Sequence, residues 1–268
     1  MVRFDGYTAT TQAANPYQLA DLFPPGLEQV QGRGFHQFGH RLALKDGTGV
    51  EVGAVLWGGA HGDRSMIEVK GERTPEVVEA LRTRFPHRVT RGDACADFDA
   101  PGAWKRLLRP VLATKRKHRL YGERRGDWDQ PEKGRTQYLG SDQSVTRLRL
   151  YEKGKQPEYA HLGRTDWVRA EIQVRPASPS AKEQFARLAP AEFWGASAWS
   201  RDLAAQLLTE HVDPHPAGTT YRLSDEARKL HWMCKQYGPL LLSMLEESGS
   251  WDLVGRNIGE AMKAARDD

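Results

Sequence analysis

The sequence predicts an α+β fold: a mainly antiparallel, curved sheet with helices packed on one face, followed by a helical C-terminal region. Three observations lead there. Up to about residue 176 the chain is mostly short runs of mixed polar and apolar residues, separated by Gly, Asp and Pro. Few helical stripes interrupt those runs, which favours hairpin-linked strands over a regular βαβ alternation. Beyond Pro176 helix-start signals and 3.6-residue periodicity take over. The 268 residues allow one large domain or two small ones. The expected division is an α+β domain over 1–176 and a helical region over 177–268 that packs on or continues it.

The elements are read in order. Phe4–Thr11, Phe35–Lys45, Gly49–Trp57 and Ser65–Lys70 are expected strands. A helix then opens at Thr74 as N-cap, with Pro75 at its first position and Glu76 at the positive end of the dipole. Its stripe is Val77, Val78, Leu81 and Phe85, and Pro86 stops it. Arg88–Asp99 reads as a strand. Pro101–Arg119 has helical spacing, with Pro110 expected to break or kink it. A loop over Gly122–Gly134 leads to strands at Arg135–Gly140, Val145–Lys153 and Asp166–Arg175. Ser180 and Glu183 form a capping-box pattern. Helical runs follow at Ser200–Glu210 and Ser224–Leu245, the latter with Leu230, Met233, Tyr237, Leu241 and Met244 on one stripe, a core or docking face.

Composition excludes several classes. No apolar run reaches the length of a membrane span, and the N-terminus lacks the apolar core of a signal peptide. Two cysteines, Cys95 and Cys234, make neither a disulfide framework nor a zinc site. A cytoplasmic protein with no membrane partner is therefore expected. Lys and Arg number 39 against 35 Asp and Glu, but the excess is local. Between Trp104 and Arg125 lie Lys105, Arg106, Arg109, Lys115, Arg116, Lys117, Arg119, Arg124 and Arg125, against the single acid Glu123. Such a run is either a solvated helix face or a polyanion contact. Trp104, Tyr121 and Trp128 lie close by, and aromatics among cations suit single-stranded nucleic acid.

Three strands each have one polar face, because residues two apart share a side. Asp93, Cys95, Asp97 and Asp99 share one face of the first. Arg147, Arg149, Tyr151 and Lys153 share one face of the second. Trp167, Arg169, Glu171, Gln173 and Arg175 share one face of the third. A solvated sheet face gives the same alternation. If the three strands are neighbours, however, the face joins carboxylates to a phenol among cations. Oxygen ligands of that kind suit Mg²⁺ or Mn²⁺, and the cations would favour the ionised phenol. A phenolate beside a metal can attack a phosphodiester and store the bond as a phosphotyrosine.

Other motifs are absent or weak. There is no Walker A sequence and no Gly-x-Ser-x-Gly. No two histidines stand two apart. His36 and His40 would share a strand face, but without a partner carboxylate they make a weak metal pair.

At this point the residues resemble a known family. Arg88–Phe98, the hairpin from Tyr138-Leu139-Gly140-Ser141 through Ser144, the strand Arg147–Gly154 and the strand Trp167–Gln173 resemble, in order and rough spacing, four motifs of the Rep_trans replication initiation factors. Asp5–Thr11 and His231–Pro239 carry weaker likenesses. The sequence departs from plasmid members in having no N-terminal helix-turn-helix extension, and Gly92 replaces a usual aliphatic residue. The resemblance implies a rolling-circle replication initiator: a metal-dependent, site-specific nicking and ligating enzyme acting through a covalent 5′-phosphotyrosine. It places the nucleophile at Tyr151, with Tyr138 as rival. It makes Asp93 and Glu171 the first metal ligands, Asp97 a further one, and Mg²⁺ or Mn²⁺ the cofactor. Arg147, Arg149, Lys153 and Arg169 would position the scissile phosphate, and the 104–125 cations would hold DNA backbone elsewhere. Origin DNA, a host helicase and a homodimer are the implied partners, in a bacterial cytoplasm. The competing reading is a non-catalytic single-stranded DNA or RNA binder on the same fold.

Overall fold

The computed structural model describes residues 1–209, 211–218 and 225–267. The chain divides into two compact units, Met1–Thr220 and Tyr221–Asp268. The composition change at Pro176 is therefore not where the units part, since the helices from 179 to 207 belong with the sheet.

The first unit is built on one ten-stranded antiparallel sheet. Its strands are β1 (Val2–Thr11), β2 (Glu28–Arg33), β3 (His40–Lys45), β4 (Glu51–Trp57), β5 (Ser65–Lys70), β6 (Arg88–Asp99), β7 (Gly122–Gly126), β8 (Arg135–Leu139), β9 (Thr146–Tyr151) and β10 (Trp167–Val174). They lie in the order β2-β3-β4-β5-β1-β6-β10-β9-β8-β7. The expected α+β class with an antiparallel sheet is thus observed. β5 and β6 run over the residues their alternation predicts. β2 and β7 are strands the sequence pattern does not announce. Five of the six residues of β2 are exposed, and β7 is Gly-Glu-Arg-Arg-Gly, so neither has an apolar face to betray it.

One face of the sheet carries the core. Leu148, Leu150, Val168, Ala170 and Ile172 are all fully buried there. Helices α2 (Thr74–Arg84), α3 (Ala103–Lys117) and α5 (Ala198–Leu207) join the same core through Val77, Val78, Leu81, Trp104, Leu107, Val111 and Leu203. Thr74 is not the N-cap of α2. It is the buried first residue of the helix, and its hydroxyl donates to the Asp5 carbonyl at 3.2 Å. Pro110 does not break α3, which runs through it without interruption. The expected capping box at Ser180 is displaced by two residues. Ser178 caps α4 (Pro179–Phe185) by accepting from the Ala181 amide, while Glu183 pairs with Arg88. The short helix α1 (Pro16–Ala20), closed by an Asn15–Gln18 capping box, is a further element beyond the expected set.

The second unit, by itself, is a pair of helices, α6 (Asp225–Ser248) and α7 (Trp251–Asp267). Ser224, the expected start of α6, lies outside the described residues, as does Glu210, the expected end of α5. Leu230, Met233 and Tyr237 of the anticipated stripe are exposed. Among the described residues no helix is long and apolar enough to cross a membrane.

Candidate functional site on the open sheet face

The strands β6, β10 and β9 are consecutive in the sheet, so the three polar faces read separately become one surface. Arg169 stands between Asp97 and Tyr151. Glu171 stands between Cys95 and Arg149. Gln173 stands between Asp93 and Arg147. Ala94 of β6, Leu148 and Leu150 of β9, and Val168, Ala170, Ile172 and Val174 of β10 fill the core behind them.

Arg169 is the centre of this surface and has no exposed area. Its Nε and Nη2 donate to the two oxygens of Asp97 at 2.6 and 2.7 Å, a bidentate fork. Its Nη1 donates to Asp5 at 2.6 Å. Trp167 Nε1 adds a bond to Asp97 at 2.8 Å. Desolvation opposes ionisation of Asp97, but the Arg169 and Trp167 bonds prevail and hold its carboxyl below the usual range. Held by that fork, Asp97 positions Arg169. Among the described residues no three His, Cys, Asp or Glu side chains form a group that could hold a metal ion. The expected set of Asp93, Asp97 and Glu171 is therefore not brought together as one triad.

What the face does hold is a crowd of acids around Glu171. Asp93 is buried, and its carboxylate is gripped by Arg91 at 3.0 Å through Nε. Glu171 is buried and accepts from Arg149 Nη2 at 3.1 Å. Burial pushes the Glu171 carboxyl up to about 7; Arg149 opposes that, while Asp93 and Asp5 add to it. Gln173 Oε1, opposite Asp93, is buried without a hydrogen-bond partner among the described residues. Two crowded carboxylates and an unpartnered amide oxygen form an oxygen-only donor set, which fits a hard divalent cation better than zinc.

Asp5 is a member of the site that sequence reasoning missed. It sits at a bulge, where the register of β1 against β6 slips between Phe4 and Gly6. The slip turns Phe4 and Tyr7 into the core while Asp5 reaches Arg169. Gly6 is needed beside it. A Cβ there would stand 2.9 Å from Asp93 Oδ2, so any larger residue pushes on that carboxylate. An Asp-Gly pair inside a strand was the available signal.

Tyr151 lies on this face and is buried. The Arg149 guanidinium rests 4.3 Å from its ring centroid. Neighbouring cations do favour the ionised phenol, as expected, but they do not prevail. Burial first, and then Glu171, drive the Tyr151 hydroxyl well above its ordinary range, and Arg149 and Arg169 offset this only in part. Lys153 does not continue the Tyr151 strand face, because β9 ends at Tyr151 and a 3-10 turn, Lys153–Lys155, begins. Its buried ammonium lies 4.4 Å from the Tyr159 ring and 5.4 Å from that of Trp167. Arg147 serves Tyr138 instead, at 4.0 Å from that ring, with Arg125 at 5.0 Å.

The basic run is split by the sheet. The apolar stripe of α3 is buried in the core, so Lys105, Arg106, Lys115, Arg116 and Lys117 belong to the side away from Tyr151. Lys117 is paired with Asp202 of α5. Arg119, in a left-handed backbone conformation, follows the helix. Arg124 stacks 4.3 Å over Trp128, which packs on Trp104 behind the sheet. Of the nine cations only Arg125 is placed by the β7–β8–β9 register on the side of Tyr151. His36 and His40 do not share a strand face. His36 is in a loop at φ +52°, and His40 opens β3, stacked on Trp57.

Glu171 gives a pH-dependent expectation. Its carboxyl is raised in the folded state, so the folded protein retains a proton the unfolded chain has released. Stability from this group is therefore full below about 4.5 and declines as pH rises through about 7. In chelator, the stability of the unmodified protein relative to Glu171→Gln should fall across that window. A flat difference in urea melts from acid to neutral pH would contradict the assigned environment.

Comparison with known proteins agrees with this architecture. Residues 97–203 match the Rep_trans family, described as a replication initiation factor. The match begins at Asp97 and takes in the hairpin after Tyr138, the Tyr151 strand and the Glu171 strand, so the resemblance carried by those motifs is shown over that segment. A rolling circle replication initiator protein from Geobacillus stearothermophilus shares the fold, with a TM-score of 0.51 and 16% identity over 73% of this chain and 83% of that one. No curated protein matched.

Proposed function

We propose that this chain initiates rolling-circle replication by nicking and rejoining one strand of an origin DNA, with Tyr151 as the nucleophile. One observation carries the reading. The matched segment brings Tyr151, Arg149, Arg169 and Glu171 onto a single open sheet face, beside Asp93 and Asp5.

The chemistry is a transesterification. The Tyr151 oxygen attacks the scissile phosphorus and loses its proton as the new ester forms. The bond to the 3′ oxygen breaks, and that oxygen leaves as a hydroxyl able to prime synthesis. The reverse attack recloses the strand with no net change in bond count. Arg149 and Arg169 offset the charge on the phenolate, since both favour its ionised form. Lys153, held by the Tyr159 and Trp167 rings just beyond the strand, supplies a cation for the phosphate. Asp93 and Glu171, with Gln173, are the residues that would hold Mg²⁺ or Mn²⁺, which would neutralise phosphate oxygens and stabilise the leaving alkoxide.

The test uses end-labelled single-stranded origin DNA, or a supercoiled plasmid bearing the origin. A covalent protein–DNA adduct on the 5′ phosphate should form, stop in EDTA and return with Mn²⁺ or Mg²⁺. Full activity in chelator would remove the metal from this reading. An adduct absent from every origin strand tried would leave a binding protein.

A further inference from the structure

Beside the carboxylates, on the same sheet face, lies a groove of about 730 Å³. Its floor is Thr8, Thr10, Met66 and Glu68 of β1 and β5, and Thr90 and Arg91 of β6 lead from it to Asp93. Five cations line it, Arg64, Arg88, Arg91, Arg175 and Lys182, against the single carboxylate Glu68. Arg88 and Arg91 are already paired, with Glu183 and Asp93. The side chains of Arg64 and Lys182 have no ion-pair or hydrogen-bond partner among the described residues. Burial and the nearby Arg91 both disfavour the charge on Arg175, so positive charge is crowded here.

The wall opposite those cations is aromatic. Phe35 is 39% exposed and meets His36 edge-on at 5.0 Å, with the Arg41 guanidinium 5.8 Å from its ring. The loop that displays them is strained: His36 and Gln37, neither a glycine, sit at φ +52° and +69°. The surrounding fold enforces this. His61 Nε2 bonds the His36 carbonyl at 2.8 Å, and the Ala60 amide donates to the Gln37 carbonyl at 3.1 Å. Phe38 is buried with Ala54, Leu56 and Met66, anchoring the loop from below. A Cβ on Gly59 would lie 2.4 Å from the Gln37 carbonyl oxygen, so only glycine lets the two loops close. Strain maintained by these bonds and this packing holds Phe35 and His36 out over a basic groove.

We propose that this groove is a subsite for unpaired nucleotides next to the scissile phosphate, with bases stacking on Phe35 and His36 and phosphates meeting Arg64 and Lys182. The inference rests on the nicking reading for its position along the strand. The volume accepts on the order of one or two nucleotides, not a duplex. A flat aromatic can stack only a base freed from its partner.

The probe is a fluorescent oligothymidylate of about 12 nucleotides, with a hairpin duplex and an oligouridylate as comparisons. Binding is followed by anisotropy at several salt concentrations. Phe35→Ala should weaken oligothymidylate binding about five-fold or more, and Phe35→Trp should restore it. Arg64→Gln with Lys182→Gln should lower the log–log salt slope by about 0.7 for each phosphate no longer neutralised. Phe35 lies outside the core, so thermal melts should confirm that these variants fold. Unchanged oligothymidylate affinity in Phe35→Ala and an unchanged slope in the double variant would overturn the proposal. So would an equal loss on the duplex, or a loss confined to the oligouridylate. If the unmodified protein forms no adduct yet Phe35→Ala still loses oligothymidylate, the nicking reading fails and the subsite stands.

Discussion

Tyr151→Phe is expected to abolish the covalent adduct while leaving origin binding within a few fold. The substitution keeps the ring, its packing and the Arg149 guanidinium at 4.3 Å, and removes only the reacting oxygen. On the proposed reading that oxygen is the one that forms the phosphotyrosine, so the expected loss of adduct is total. Tyr138→Phe is the control. Tyr138 is half-buried, lies between the Arg147 and Arg125 guanidiniums, and faces Arg149 across the β8–β9 ladder. It should still allow the adduct. The measurement is denaturing gel electrophoresis of the protein with an origin strand labelled at its 3′ end, the end that stays with the phosphotyrosine. Normal labelling of Tyr151→Phe, or a dead Tyr138→Phe, would move the nucleophile one strand along the sheet.

Arg169→Ala should cost stability on a scale few single substitutions reach. The guanidinium is fully buried, with Asp97 and Asp5 both depending on it. Removing one partner of a buried ion pair leaves uncompensated charge, at about 3–5 kcal/mol. For a unit of this size that lowers the melting temperature by about 10 °C. Arg169→Lys should recover little, because one ammonium cannot replace a fork that serves two carboxylates. Neutralising all three as Asp5→Asn, Asp97→Asn and Arg169→Met should be milder than Arg169→Ala alone. Calorimetry decides it, and a drop under about 1 kcal/mol for Arg169→Ala would mean the three groups are not coupled.

The candidate face was legible because a strand repeats every two residues, and its residues sit on strands whose even positions are mostly apolar. Asp93, Arg149, Tyr151, Arg169 and Glu171 could each be assigned a side from local alternation alone. What alternation does not carry is who pairs with whom across the face. Asp97 looked like one more acid, but a guanidinium seventy-two residues away had claimed both its oxygens. Tyr151 looked ionisable among cations, yet burial, a tertiary property, outweighs them. Asp5 was hidden because a bulge reverses the alternation on which the reading relied. Which side the basic run takes is hidden in another way. Charge density in sequence is one-dimensional, whereas a sheet has two sides, and most of the run went behind it.

The sheet order also has a consequence for the protein's birth. β1, the first strand of this sequence, lies mid-sheet between β5 and β6, and its Asp5 meets an arginine 164 residues later. A chain emerging from the ribosome can pair that strand with β5 once Lys70 is out, but cannot flank it on both sides until β6 follows, nor complete the polar face until Val174 is made. Contacts so distant in sequence make folding slow. They also make the polar face all-or-none during synthesis: a polypeptide released before β10 lacks Arg169 and Glu171, and its Asp5 and Asp97 are left without the guanidinium that joins them.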